Sequence, residues 1–183
     1  MINLNVVNIV VMTDLKHNLQ LETIAAKLSN TEYNPEQFPG LVLRIKDPKI
    51  SALLFTSGKI ICTGARNMTV AHEAIQKILE LLKKNGILIT IKPKLTVQNM
   101  VGSGEVGFDL NLNKLAMQLD NVEFEPEQFP GLVYKITYPF HSTFLLFSNG
   151  KVVCTGAKTE NGMNICFEQL IKNLNKVMIK VKH

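Results

Sequence analysis

Glu36-Gln37-Phe38-Pro39-Gly40-Leu41-Val42 returns as Glu127-Gln128-Phe129-Pro130-Gly131-Leu132-Val133, and the preceding Pro35 and Pro126 extend the identity. The offset, from 36 to 127, is 91 residues. Cys62-Thr63-Gly64-Ala65 recurs as Cys154-Thr155-Gly156-Ala157 at an offset of 92, so one residue has been inserted between the two landmarks in the second copy. Upstream, Asn8 within Val6–Val10 matches Asn99 within Val97–Val101. A period this long is domain-sized and exceeds that of solenoids and propellers, which predicts two similar halves, residues 1–90 and 91–183, related by an approximate two-fold axis.

Each copy is built the same way. Residues 4–12 are rich in Val and Ile and read as a strand, and residues 95–101 read likewise. Leu21, Ile24, Ala25 and Leu28 then fall on one helical stripe, matched by Leu112, Leu115, Ala116 and Leu119. The Phe-Pro-Gly of the repeated phrase is expected at a loop tip, where Gly tolerates a turn. Three strands follow in a meander, over residues 41–46, 51–56 and 59–65. A longer helix over residues 67–85, ended by Gly86, puts Val70, Ala74, Ile75, Ile78, Leu79 and Leu82 on one face. Its counterpart carries Cys166, Phe167, Leu170, Ile171 and Leu174.

With 46% hydrophobic residues in 183, the chain can bury a proper core, and a net charge of +5 favours an anionic partner. Three cysteines without a CxxC pair argue against a disulfide framework or zinc ribbon and for a reducing interior. No apolar run reaches the roughly 20 residues that span a bilayer, and Met1-Ile2-Asn3-Leu4-Asn5 lacks the basic start of a signal peptide, so the expectation is a soluble protein without a membrane partner. Neither a metal nor a cofactor is expected: His17, His72, His141 and His183 form no ligand spacing, and no nucleophile elbow or phosphate loop is present. Gly102-Ser103-Gly104-Glu105-Val106-Gly107 satisfies G-x-G-x-x-G, but a meander lacks the βαβ unit that motif needs, and a turn before the short helix accounts for it better. The chain does not read as an enzyme.

Strand parity leaves one face over. Val42 and Arg44 share a side with Phe38 if the strand runs unbroken from the loop; Ser51, Leu53, Phe55 and Ser57 share one side, as do Lys59, Ile61 and Thr63. Both faces are largely apolar, yet two helices per copy cover only one. The other is an apolar surface edged by Arg44, Lys46, Lys59, Lys135 and Lys151. Such a face suits nucleic acid, or a second subunit.

The phrases Val6-Val7-Asn8-Ile9-Val10 and Leu54-Phe55-Thr56-Ser57-Gly58-Lys59, each with a variant second copy, and Phe-Pro-Gly-Leu-Val and Cys-Thr-Gly-Ala, each present twice, resemble the TATA-box-binding protein family in its archaeal-type form, across essentially the whole chain. The resemblance implies an α+β saddle: a curved ten-stranded antiparallel sheet with four helices on its convex side. It implies a general transcription initiation factor, and the family is the established instance of minor-groove kinking by apolar wedges. The wedge positions match Phe38, Phe55, Phe129 and Phe147. Minor-groove contact falls to Asn8, Val10, Thr63, Asn99, Val101 and Thr155, and phosphate contact to Arg44, Lys49, Ser51, Ser57, Lys59, Lys135 and Lys151.

Implied partners are double-stranded promoter DNA, transcription factor B and, indirectly, RNA polymerase, with a monomer on DNA and dimerisation of the free protein left open. The implied place is the archaeal nucleoid, or the nucleus of a eukaryote. Glu125 and Glu127, in the acidic approach to the second wedge, match the loop that the family gives to transcription factor B; a solvated acidic loop is the plainer alternative. Departures are Gln37 and Gln128 before the loop phenylalanines, Tyr138-Pro139-Phe140-His141 where the first copy has Lys49, and no acidic tail at residues 180–183. A single-stranded nucleic-acid binder that stacks bases on its phenylalanines is the rival reading.

Overall fold

Burial alternates residue by residue along the long strands of the computed structural model, which describes residues 4–179. The chain is α+β, with ten strands and four helices among those residues. In order they are β1 (Asn5–Asp14), α1 (Leu21–Lys27), β2 (Thr31–Glu32), β3 (Leu41–Ile45), β4 (Ile50–Leu54), β5 (Lys59–Ala65), α2 (Met68–Lys84), β6 (Thr96–Glu105), α3 (Leu112–Gln118), β7 (Val122–Glu123), β8 (Leu132–Ile136), β9 (Ser142–Leu146), β10 (Lys151–Ala157) and α4 (Glu160–Ile179).

The chain divides into two compact units. One is Asn8–Gln98; the other joins the residues from Asn99 onward with those before Asn8. In the first unit the strand order is β2-β3-β4-β5-β1, with neighbours antiparallel. Leu41, Leu43, Ile50, Ala52, Leu54, Ile60 and Cys62 point to the buried side, alternating with half-exposed neighbours. Helix α2 closes that side with Ala71, Ala74, Ile75, Ile78 and Leu82. Full burial of each such leucine or isoleucine contributes about 1.5–3 kcal/mol, which outweighs the helix's capping energy. Asn67 caps α2, its Oδ1 accepting from the Val70 N–H at 2.9 Å, a contact of about 1 kcal/mol.

The second unit repeats the order as β6-β10-β9-β8-β7. Its core gathers Leu132, Phe144, Leu146, Val152, Cys154, Met163, Phe167, Leu170 and Leu174, with Leu4 among them. The Leu4 N–H donates to Asn164 Oδ1 at 3.1 Å, tying the chain's start to α4. Helix α4 opens with Thr159 Oγ1 accepting from the Gly162 N–H at 2.9 Å.

Three details depart from the periodic reading. Ala71 is fully buried in α2 while Val70 and Leu79 are half-buried, so the stripe is turned slightly from the one expected. Helix α1 stops at Lys27, leaving Leu28 as an extended cap. The glycine run is not a turn: Gly102 and Gly104 lie inside β6, and only Gly107, at φ +90°, turns the chain. Gly102 is small because Met163 presses on it; a Cβ there would overlap Met163 Sδ. The readings of residues 1–3 and 180–183 lie outside the described residues.

Candidate nucleic-acid interface

The side of each unit away from its helices carries the residues that the sequence singled out, and register puts them in rows. Arg44 pairs with Ser51 and Ser51 with Thr63, whose hydroxyl reaches Asn8 on β1. In the second unit Lys135 pairs with Thr143, Thr143 with Thr155, and Thr155 reaches Asn99 on β6. The next row is apolar: Val42, Leu53 and Ile61 in the first unit, Val133, Leu145 and Val153 in the second, all half-exposed. Val10 and Val101 lie two residues beyond the asparagines, on the same side of their strands. Thr143, the counterpart of Ser51, escaped the sequence reading although the 92-residue offset points to it.

Both asparagine amides are held in one orientation. The Gly64 N–H donates to Asn8 Oδ1 at 2.7 Å, and the Gly156 N–H to Asn99 Oδ1 at 2.7 Å. A backbone N–H has no lone pair to offer, so the amide oxygen must face it and the NH₂ must face away. One NH₂ hydrogen goes to the threonine hydroxyl, at 3.0 Å on Thr63 and 2.9 Å on Thr155. The other is left as a donor. The geometry needs a bulge: pairing of β1 with β5 shifts between Ile9 and Val11, and that of β10 with β6 shifts between Cys154 and Ala157. Gly64 and Gly156 sit in these bulges at φ +112° and +99°, a region that side chains disfavour.

The four phenylalanines are not sealed in the core. Phe38 and Phe129 are each 41% exposed, and each ring meets its neighbour edge-on: Phe38 to Phe55 and Phe129 to Phe147 both at 6.0 Å between centroids, inclined 71° and 72°. The loops that present them turn on the Phe38 N–H donating to the Asn34 carbonyl and the Phe129 N–H donating to the Glu125 carbonyl, both at 3.0 Å. Phe38 stands in a loop before β3, which starts at Leu41, so strand parity does not place it. Gly40 was expected to serve a turn. It serves space instead: a Cβ there would come within 2.6 Å of Phe38 Cε1 and 3.1 Å of Phe55 Cε1, and one at Gly131 within 2.7 Å of Phe129 Cε1 and 3.0 Å of Phe147 Cε1.

Each strand cation at the rim has a carboxylate close by. Arg44 Nη1 is 3.3 Å from Glu32 Oε2, and Lys135 Nζ is 3.7 Å from Glu123 Oε1. Lys59 lies in register opposite Asp14, and Lys151 opposite Glu105. The Lys16 N–H, then the Lys16 side chain, hold the Asp14 carboxyl below its ordinary value. Exposed pairs of this kind are worth about 0–1 kcal/mol, so a phosphate can displace the carboxylate. Among the described residues Lys49 joins no ion pair. Ser57 Oγ accepts from the Lys59 N–H at 3.4 Å, and its own hydrogen remains to donate. Glu125 and Glu127 are exposed in the second loop. Burial pushes the Cys62 and Cys154 thiols up to about 12, so both are protonated at neutral pH.

The sequence matches the family described as "Transcription factor TFIID (or TATA-binding protein, TBP)" over residues 3–85 and again over 94–177. This chain belongs to that family. It is 42% identical to the TATA-box-binding protein of Thermococcus kodakarensis over 175 residues, covering 96% of this chain and 92% of the relative. It is 43% identical to that of Archaeoglobus fulgidus over 169 residues, covering 91% and 92%. A solved structure of Methanococcus jannaschii TBP superposes with a TM-score of 0.88 at 42% identity, covering 95% of this chain and 99% of that one. The fold is therefore that of the family along nearly the whole chain. Among the described residues no helix is long and apolar enough to cross a membrane.

Proposed function

We propose that this protein is a transcription initiation factor that binds the TATA box through the minor groove and kinks it with Phe38, Phe55, Phe129 and Phe147. The observation that carries the reading is the edge-on phenylalanine pair, one ring exposed and one half-buried, beside an apolar strip and a donor-oriented amide, present once in each unit. Unstacking a base step costs about a few kcal/mol. One buried phenylalanine returns about 1.5–3 kcal/mol, so a single ring barely offsets the kink whereas a pair does.

In the groove floor A·T and T·A both offer acceptors alone, while G·C adds the guanine amino donor. The free hydrogens of Asn8 and Asn99 meet those acceptors and oppose that donor. Thr63 and Thr155 hold the amides, and Val10 and Val101 supply apolar contact. Flexible pyrimidine-purine steps lower the cost of the bend. Arg44, Lys49, Ser51, Ser57, Lys59, Lys135 and Lys151 take the phosphates and set the salt dependence.

Glu125 and Glu127 then face a basic partner, transcription factor B, which brings RNA polymerase indirectly; on DNA the protein acts as a monomer. A bend read by energy transfer between dyes on the two ends of a T·A-rich duplex tests the reading. The expected outcome is a compact duplex at saturating protein and weak competition by single strands of the same sequence. Preference for single strands without bending would favour base stacking on the phenylalanines instead.

A further inference from the structure

Residues 86–93 lie between the two stretches that match the family. The run Ile87-Leu88-Ile89-Thr90-Ile91 has the β-branched composition of a strand. Half-buried Ile87 and Ile89 alternate with exposed Leu88 and Thr90, the period-two pattern of an extended edge. Leu88 is 60% exposed and Ile91 40%. Among the described residues the segment belongs to no sheet, and its backbone is anchored at its start, by the Gly86 N–H donating to the Lys83 carbonyl at 3.1 Å and the Ile87 N–H to the Leu82 carbonyl at 2.9 Å. An unpaired, β-prone edge of this kind is a template for an added strand.

Charge decides what adds. Lys83, Lys84, Lys92 and Lys94 flank the run, all exposed, and no acidic residue occurs between Leu81 and Leu95. Lys27 comes in from α1, with Nζ 3.3 Å from the Asn85 carbonyl. A second copy of this segment would set lysine against lysine, and Pro93 blunts the edge further against its own kind. An extended peptide in which Asp or Glu alternates with apolar side chains meets both the cations and the leucine-isoleucine row. The segment follows α2, which packs on the buried side of its sheet, opposite the candidate nucleic-acid face.

We infer that residues 86–94 form a second docking site, one that takes an extended acidic and apolar peptide segment of a protein partner by strand addition. The probe is a short fluorescein-labelled peptide alternating glutamate with valine and leucine, titrated against the full chain. The expected result is saturable anisotropy, with amide shifts in nuclear magnetic resonance concentrated in residues 86–94. Binding should weaken at least about tenfold in Leu88→Asp with Ile91→Asp, as for an interface anchor. It should weaken similarly, with loss of salt dependence, in Lys92→Glu with Lys94→Glu. Both pairs are exposed, and an unchanged melting temperature shows that they leave the fold intact.

Absence of saturable binding would overturn the inference. So would equal binding of polyglutamate, which reduces the site to charge. Self-association of the free protein that Leu88→Asp abolishes would make a second copy the occupant, and uptake of a random-sequence duplex that Lys92→Glu with Lys94→Glu abolishes would make it DNA; either overturns the inference. TATA-box affinity and bending of these variants should equal those of the unaltered protein, so failure here and failure of the DNA reading are told apart.

Discussion

The two copies agree most closely where charge plays no part and part company where it does. The phenylalanine pairs share a 6.0 Å separation and inclinations of 71° and 72°, and the glycine-to-asparagine bonds are both 2.7 Å. Along the rim, Arg44 is answered by Lys135, the turn carrying Lys49 by Tyr138-Pro139-Phe140-His141, and Asn34 by Glu125. The proposed ligand, a near-palindromic minor groove, would account for the first pattern, because it offers both copies the same acceptors and the same steps to open. In the proposed function the repeated apolar and amide geometry reads the groove, while the divergent charge distinguishes one half of the protein from the other.

The strongest challenge to that comparison is to remove one wedge. Phe129→Ala should weaken TATA-box binding on the order of 30-fold and reduce the bend, and Phe38→Ala should do the same, since the two sites are built alike. Gly131→Val should come close to either, because its side chain displaces both Phe129 and Phe147. Equal affinity and bend in any of the three, measured by energy transfer, would dismiss the wedges.

The amides come next. Asn99→Asp replaces the free donor with an acceptor and places a carboxylate against the Gly156 N–H, which still holds it. Affinity should fall about tenfold, as for one lost groove contact, and Asn8→Asp should match it. A tenfold loss at one asparagine with none at the other would show that the copies read the groove differently despite equal geometry.

A smaller effect should separate the rims. Lys49→Ala should lower the slope of log affinity against log salt by about one unit, whereas His141→Ala at its counterpart loop leaves the slope unchanged. Titrations at several salt concentrations measure both. A drop at His141 as large as that at Lys49 would mean the inserted loop had kept a phosphate contact.

What the sequence revealed follows the same division. The repeat, the two periods and the turn residues gave the element order, and β5 and α2 lie within a residue of their expected ends, because these signals are local. The asparagines and phenylalanines were legible as repeated motifs. The purpose of the glycines was not: Gly40 is small because the Phe38 ring folds back over it and Phe55 closes in from beyond β4, and Gly102 because Met163 does so from α4; neither Phe55 nor Met163 is near in the chain. The carboxylates beside the rim cations were hidden for the same reason. Glu32 reaches Arg44 only because the two-residue β2 pairs Glu32 with Val42.

That hidden pairing carries the smallest expected effect and the finest test of symmetry between copies. A phosphate that takes Arg44 must first displace Glu32, and one that takes Lys135 must displace Glu123, at a cost of about 0–1 kcal/mol for exposed pairs. Glu32→Gln should thus tighten DNA binding by up to about fivefold at low salt, with the gain vanishing as salt screens the pair. Glu123→Gln should gain less, since its lysine stands at 3.7 Å rather than 3.3 Å and a single ammonium lacks the guanidinium's fork. Were Glu32→Gln to weaken binding instead, the Arg44 contact would be positioned by its carboxylate rather than held back by it, and the rim would be organised by the protein before DNA arrives.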